Sequence, residues 1–337
     1  MKRPWVACVA VAVSTAAPLA VVPAGPARSA QLGPPAALRV FTEPAAGFGP
    51  VYSFILSARH SLDMTMYELE DANAEHDLAV DAERGVAVRV LLDRAYSGKW
   101  ANSRAAGALA AAGVHVEWAP SSVIVHQKTV VVDNSAALVM TANLTSRYYA
   151  GTADFIIEDR RSADVAVIVR AFDDDWAGDL VESPYRVPVR GQVGDLVFSP
   201  GSEQVLLGLI ASARSSVQTS SEEMASGAVE SALEADARRG VDVEVLMTQD
   251  SSWGPALRRL SSAGAHVRLY PYSDRALYIH AKLTLVDGKR AYVGSINYST
   301  SSMVYNRELG VITADPAVVG PVAHAFAQWW AGAPITL

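Results

Sequence analysis

His126, Lys128, Asp133 and Asn143 recur as His280, Lys282, Asp287 and Asn297 with identical internal spacing, H-x-K-x-x-x-x-D and then an asparagine. At equal distances beyond the two asparagines stand acids, Asp154 and Glu308. A single histidine on a strand is usually a packed or surface residue, but a doubled pattern asks for a shared task. Residues i and i+2 of a strand share a face, so each His and its Lys point the same way. Each asparagine lies on the adjoining strand of a hairpin and can join them. Two such triplets facing one another assemble two imidazoles, two amides, and two ammoniums that are cationic at neutral pH. That is a pocket for a tetrahedral oxyanion, with phosphate the obvious guest.

Two histidines on opposite sides of a phosphorus can divide the work. One attacks in line while the other protonates the leaving oxygen, which gives a phosphohistidine. The second imidazole, now neutral, then deprotonates water or an alcohol that attacks from the vacated side. Lysines and asparagines stabilise charge on the equatorial oxygens, the part a metal plays in other phosphoryl-transfer enzymes. No dense Asp/Glu/His cluster with metal-ligand spacing accompanies the pattern, so chemistry without metal or cofactor is expected.

The elements that must carry these residues also come twice. "ARHSLDMTMYELED" at Ala58 resembles "ARSSVQTSSEEMAS" at Ala213, and "LAVDAERGVAVRVLLD" at Leu78 matches "LEADARRGVDVEVLMT" at Leu233. "AAGVHVEW" at Ala111 matches "SAGAHVRL" at Ser262, and "RVFTEP" at Arg39 matches "LVFSPG" at Leu196. Such self-similarity means two structural copies in one chain. In the first, the pattern predicts a helix over 50–59, a strand over 62–67, a helix over 72–84, a buried strand "VAVRVLLD", an Ala-rich helix ending at Gly113, and a strand "VHVEW". Alternation of this kind predicts an α/β lobe with a largely parallel central sheet. "HQKTVVVD" and "AALVMTAN", joined at Asn134–Ser135, read as a hairpin. The expected organisation is two similar α/β lobes, 31–178 and 196–337, packed about a pseudo-two-fold axis. A linker over 179–195, rich in Gly and Pro, joins them.

Residues 1–30 differ from the rest. Lys2 and Arg3 precede an Ala/Val-rich run and a small-residue stretch ending "AGPARSA", the layout of a removable signal peptide. A secreted product is therefore expected. The one cysteine, Cys8, lies in that segment, so the remainder has neither disulfide nor thiol chemistry. The net charge is −7 and becomes more negative without Lys2, Arg3 and Arg28. An acidic surface repels polyanions and argues against tight non-specific nucleic-acid binding, without excluding one basic cleft.

The paired motifs, with their downstream asparagines and acids, resemble the phospholipase D superfamily over nearly the whole stretch from Arg39 to Trp330. The resemblance implies a two-lobed α/β fold and the phosphohistidine route. It also implies that His126 is the nucleophile, that His280 is general acid and base, and that Asp154 and Glu308 orient the imidazoles. Lys128, Lys282, Asn143 and Asn297 complete the site. Asp133 and Asp287 belong to the motif as structural partners more than as reacting groups. Thr141 and Ser295 supply hydroxyls toward the substrate. The first copy departs from the family pattern: Met140-Thr141 stands where the second copy has Gly294-Ser295, and its acid is Asp instead of Glu.

Other candidates carry less. His115 and His266 occupy equivalent repeat positions among apolar residues and read as shared packing. Trp100 and Trp253 follow equivalent strand ends, where α/β folds place ligands, and would line the cleft mouth. "FDDDW" at Phe172 reads as a solvated helix face, and "AFAQWW" as core packing of the last helix. The expected function is a monomeric, secreted phospholipase D acting on a glycerophospholipid such as phosphatidylcholine, with transient contact to a lipid surface. The alternatives are a nuclease-like phosphodiesterase and an inactive lipid- or phosphate-binding member. A membrane-bound lipid synthase is disfavoured by the lack of a second apolar span.

Overall fold

Both strands that begin at the motif lysines carry only aliphatic residues and one threonine after the lysine and are buried along their length, so each must be covered on both faces. The computed structural model, which describes residues 37–96, 98–178 and 189–337, shows how. The first half supplies β1 (Leu38–Glu43), β2 (Ser61–Met66), β3 (Ala87–Leu92), β4 (His115–Trp118), β5 (Lys128–Val132), β6 (Ala136–Met140) and β7 (Thr152–Asp159). The second supplies β8 (Gly191–Val193), β9 (Leu196–Ser199), β10 (Ser216–Ser220), β11 (Met224–Ala225), β12 (Asp242–Thr248) and β13 (His266–Tyr270). After these come β14 (Tyr278–Ile279), β15 (Lys282–Val286), β16 (Arg290–Gly294), β17 (Tyr298–Ser299), β18 (Glu308–Thr313) and β19 (Ile335–Thr336).

The first sheet has the order β1-β7-β6-β5-β2-β3-β4, and the second β19-β13-β12-β10-β15-β16-β18-β9-β8. From β4 to β1 and from β13 to β9 the two follow one topology, so the sequence repeat is a repeat of fold. Along these two strand orders only β2, β3 and β4, and their counterparts β10, β12 and β13, are parallel. The other half of each sheet is antiparallel, because β5 and β6, like β15 and β16, are joined by tight turns too short for a crossover. The expectation of a largely parallel sheet is corrected accordingly.

Alternation along β5 and β6 divides two cores. Val131, Ala137 and Val139 meet Leu283, Leu285 and Val293 of the other sheet, together with helices Ser162–Ala177 and Pro316–Gly332. Val130, Leu138 and Met140 face the outer helices Gly49–Ile55, Ala72–Glu83 and Gly98–Ala111. The second half has an outer core of the same kind around Val243, Val245 and Tyr292. Phe326 and Trp329 of the last helix pack in the shared core, as their sequence suggested.

Several expectations change. The helix expected over 50–59 stops at Ile55. The Asp133 carboxylate accepts from the backbone N–H groups of Arg59, His60 and Ser61, which a longer helix would spend otherwise. Part of the expected linker is a strand, β8, paired with β9, and Val189 is core. Residues 179–188, like the expected signal segment 1–30, lie outside the described residues. His115 and His266 are exposed at strand starts, with His266 near Asp242 at 3.7 Å, and share no packing role. Trp253 packs against the second outer core instead of lining a mouth, whereas Trp100 is 90 % exposed. In "FDDDW", Asp173 is exposed but Asp175 is buried against Arg307. Among the described residues no helix is long and apolar enough to cross a membrane.

Candidate active site

Backbone hydrogen bonds join the two halves at both motifs. His126 N donates to Arg307 O at 2.8 Å, and Arg307 N returns a bond to Ile124 O at 2.8 Å. On the other side β14 pairs in parallel with the start of β7, and Ala281 N donates to Ala153 O at 2.8 Å. Each histidine is thereby held beside the residue that precedes the acid of the opposite half.

The side chains follow this pairing. His126 Nδ1 lies 2.8 Å from Glu308 Oε2, and His280 Nδ1 lies 2.8 Å from Asp154 Oδ1. The orienting acids are thus exchanged between halves, and each commits Nδ1 of its ring. Glu308 is fully buried, and its other oxygen accepts from Ser302 Oγ and from Asn306 Nδ2 at 3.2 Å. Burial pushes the Glu308 carboxyl up, but His126 and Lys128 outweigh it and hold the acid ionised below its usual range. Burial lowers the His126 pKa to about 4, assisted by the positive charges of Lys128 and Lys282 and opposed by Glu308. His126 is therefore neutral at pH 7, with its proton on Nδ1 facing Glu308 and a lone pair on Nε2, as a nucleophile requires.

Lys128 and Lys282 are each 1 % exposed, and each donates to the carbonyl of its own motif histidine at 2.6 Å. Lys128 Nζ lies 5.0 Å above the Tyr67 ring, and burial lowers its pKa to about 7. Asn297 Oδ1 accepts from Ser221 Oγ and Glu222 N, both at 3.2 Å, while Asn143 Oδ1 is buried with no hydrogen-bond partner. Among the described residues no group of His, Cys, Asp and Glu is placed to hold a metal ion.

Thr141 and Ser295 do not face a substrate. Both are fully buried behind the acids: Thr141 Oγ1 donates to Asp154 Oδ1, and Ser295 bridges to Leu309 and acts on Glu308. Asp133 and Asp287 also lie apart from the reacting groups, at the turns where β5 and β15 end. Their backbones have φ of 50° and 53°, which short polar side chains tolerate. Asp287 repeats the Asp133 clip on Arg214, Ser215 and Ser216. Met140 points into the first outer core. Its counterpart Gly294 admits no Cβ, which would lie 2.2 Å from Gly310 Cα.

Spacing alone passes over three residues. Arg307 is fully buried, donates to Asp175 Oδ2 at 2.8 Å, and fixes the backbone between Ile124 and Glu308. Tyr67 meets the His126 ring edge-on at 4.6 Å. Glu222, at the corresponding position of the second copy, lies 3.4 Å from His280 Nε2 and 3.2 Å from Lys282 Nζ. The repeat alignment that sets Tyr67 against Glu222 is the signal that could have found both.

The family model described as "Cardiolipin synthase, PLD-like domain" matches residues 51–176 and again 206–330. Cardiolipin synthase A of Serratia proteamaculans is 27% identical over 302 residues, 77% of this chain and 62% of that protein. A mitochondrial cardiolipin hydrolase of Danio rerio is 34% identical over 95 residues, 28% of this chain and 41% of that protein. The chain therefore spans less than two thirds of these curated relatives. The solved phosphatidylserine synthase of Haemophilus influenzae superposes with a TM-score of 0.69 at 13% identity, over 89% of this chain and 87% of that one, and shares the fold. With both halves matched, and with two His-Lys motifs meeting between them, the chain belongs to the phospholipase D superfamily as a duplicated member.

Proposed function

We propose that this protein transfers the phosphatidyl group of a glycerophospholipid to water or a small alcohol through a phosphohistidine on His126. The observation that carries the reading is the exchanged pair of imidazole–carboxylate contacts, which commits Nδ1 of both rings and leaves Nε2 as the reacting atom of each. His126 Nε2 forms the P–N bond as the bond from phosphorus to the head-group oxygen breaks, and His280 Nε2 gives that oxygen its proton. Water or an alcohol then passes a proton to His280, its oxygen bonds to phosphorus, and the P–N electron pair returns to His126. Lys128 and Lys282 stabilise the charge that builds on the non-bridging oxygens. The unpartnered Asn143 oxygen is available to an incoming hydroxyl.

A lipid substrate is supported by the surface around the cleft. Among the described residues the large exposed aromatic side chains are Tyr96, Trp100, Tyr148, Tyr272 and Tyr305. All lie in segments that follow β3, β6, β13 or β17, on the side where the strands deliver the site. Exposed Arg94, Lys99, Arg147 and Arg275 alternate with them. Amphipathic aromatic rings flanked by cations suit the head-group layer of a phospholipid surface. Export through residues 1–30 is part of the proposal and is checked by sequencing the N-terminus of protein recovered from culture medium.

The test presents purified protein with phosphatidylcholine or phosphatidylglycerol vesicles and, separately, single-stranded DNA, all in excess EDTA with ethanol present. Phosphatidic acid and phosphatidylethanol are the expected products. Cleavage of DNA with intact lipid would replace this reading by a nuclease, and no cleavage of any substrate would leave a binding protein.

A further inference from the structure

We propose that Glu222 is a specificity-determining residue: it makes the cleft accept a monoanionic phosphodiester and reject phosphates that carry a second negative charge. The inference rests on the reading that the cleft binds a phosphodiester and adds which charge state it takes. His280 Nδ1 is committed to Asp154, so Nε2 is the ring atom left for a phosphate oxygen. Glu222 Oε2 lies beside it at 3.4 Å and also lies 3.2 Å from Lys282 Nζ. The two donors a phosphate oxygen would use on this side thus already face a carboxylate.

The carboxylate is fixed from behind. Glu222 Oε1 accepts from Tyr278 OH at 2.8 Å, and Tyr278 lies against the His280 ring with centroids 6.3 Å apart. Glu222 N donates to Asn297 Oδ1 at 3.2 Å, which ties down the backbone and leaves the side chain as the part that can yield. The charged and titratable groups facing Glu222 are Lys282 on β15, His280 and Tyr278 on the β14 segment, its neighbour Glu223, and His126 and Lys128 from the other half. At the matching position of the first half stands Tyr67, which offers His126 a ring edge, while its neighbour Glu68 acts on Lys128. The two ends of the cleft therefore differ: a phenol flanks the nucleophile and a carboxylate flanks the acid–base histidine.

A substrate phosphate must displace Glu222 from Lys282 and His280 while the carboxylate stays tied to Tyr278 in the pocket wall. A diester brings one negative charge, which the donors on the two motif strands can balance. A monoester or orthophosphate brings a second charge near neutral pH and places it against the half-buried Glu222 carboxylate. The hydrolysis product, a phosphomonoester, is thus held more weakly than the substrate, and the site clears after each turnover.

Inorganic phosphate is the probe, used as a competitive inhibitor of bis(p-nitrophenyl) phosphate cleavage, with binding measured in parallel by 31P NMR. The unaltered protein should bind phosphate weakly at pH 8 and at least about 10-fold more tightly at pH 5.5, where phosphate is a monoanion. Glu222→Gln should raise the affinity for phosphate at pH 8 by about 10-fold or more, by clearly more than it lowers KM for the diester, and should reduce that pH dependence to the part set by Lys128. Glu222→Asp keeps the charge and should keep the discrimination, which separates the electrostatic role from a loss of packing. Phosphate affinity at pH 8 that is unchanged in Glu222→Gln, or that tightens only in parallel with the diester, overturns the proposal. Because both probes are soluble, a protein that left phospholipids intact would remove the lipid reading and leave this result standing.

Discussion

Replacing Glu308 by Gln removes the charge on Nδ1 of an imidazole that belongs to the other half of the chain. The contact is 2.8 Å long and fully buried on the acid's side, so no water takes its place. A charge-assisted hydrogen bond of this kind contributes about 1.5–3 kcal/mol, or on the order of 10–10² in rate. The amide nitrogen of Gln also favours the tautomer with the proton on Nε2, which has no lone pair for phosphorus. Forcing the wrong tautomer costs about 10⁴ in a serine protease triad, so the expected loss for Glu308→Gln lies between about 10² and 10⁴. Bis(p-nitrophenyl) phosphate shows where the loss falls, because p-nitrophenolate leaves without an acid. Rapid mixing should give no burst of p-nitrophenolate in Glu308→Gln or in His126→Ala. Asp154→Asn and His280→Ala should both give a burst of one equivalent and then stall, since the acceptor lacks its base. A Glu308→Gln protein that behaved like His280→Ala would refute the exchange of acids between halves, whichever histidine is the nucleophile.

Lys128→Met and Lys282→Met should each lower kcat/KM for a soluble diester by on the order of 10²–10³ under exhaustive chelation; mild effects at both would place the phosphate elsewhere. The pH profile of kcat/KM should rise through about 4, as buried His126 loses its proton, and fall above about 7, as buried Lys128 loses its charge. Lys128→Arg, which keeps its charge, should extend whatever activity it retains to higher pH; an alkaline limb near 7 that persisted there would clear Lys128 of it. Asp133→Ala and Asp287→Ala should each lower the melting temperature by a few degrees, through the lost backbone clips, and leave kcat within about 2-fold; a large loss of kcat with an unchanged melting temperature would return them to the chemistry.

The paired histidines and lysines were legible because a strand's two-residue period and the doubled spacing are local properties of the chain. So was the duplicated fold, since each helix and strand carries its own periodicity. Which acid meets which histidine was not legible. It is decided where β14 adds to β7 and where Ile124 and His126 pair with Arg307, contacts between residues far apart in sequence. Thr141 and Ser295 show the same limit in miniature. Spacing places their hydroxyls near the motif, but the register of β6 with β7 and of β16 with β18 turns them behind the acids. Glu222 is hidden because its counterpart is an aromatic residue, and a repeat advertises what its copies share more than where they differ. The antiparallel half of each sheet follows from turn length, which the hairpin at Asn134–Ser135 already implied.

The stereochemical course at phosphorus bears most directly on transfer by way of His126. A phospholipid made chiral at phosphorus by isotopic oxygen is cleaved in the presence of ethanol, and the configuration of the phosphatidylethanol is read by 31P NMR. Two in-line displacements, one by His126 and one by ethanol, give net retention, and retention is the expected result. Net inversion would mean a single direct attack by the acceptor and would contradict transfer by way of His126.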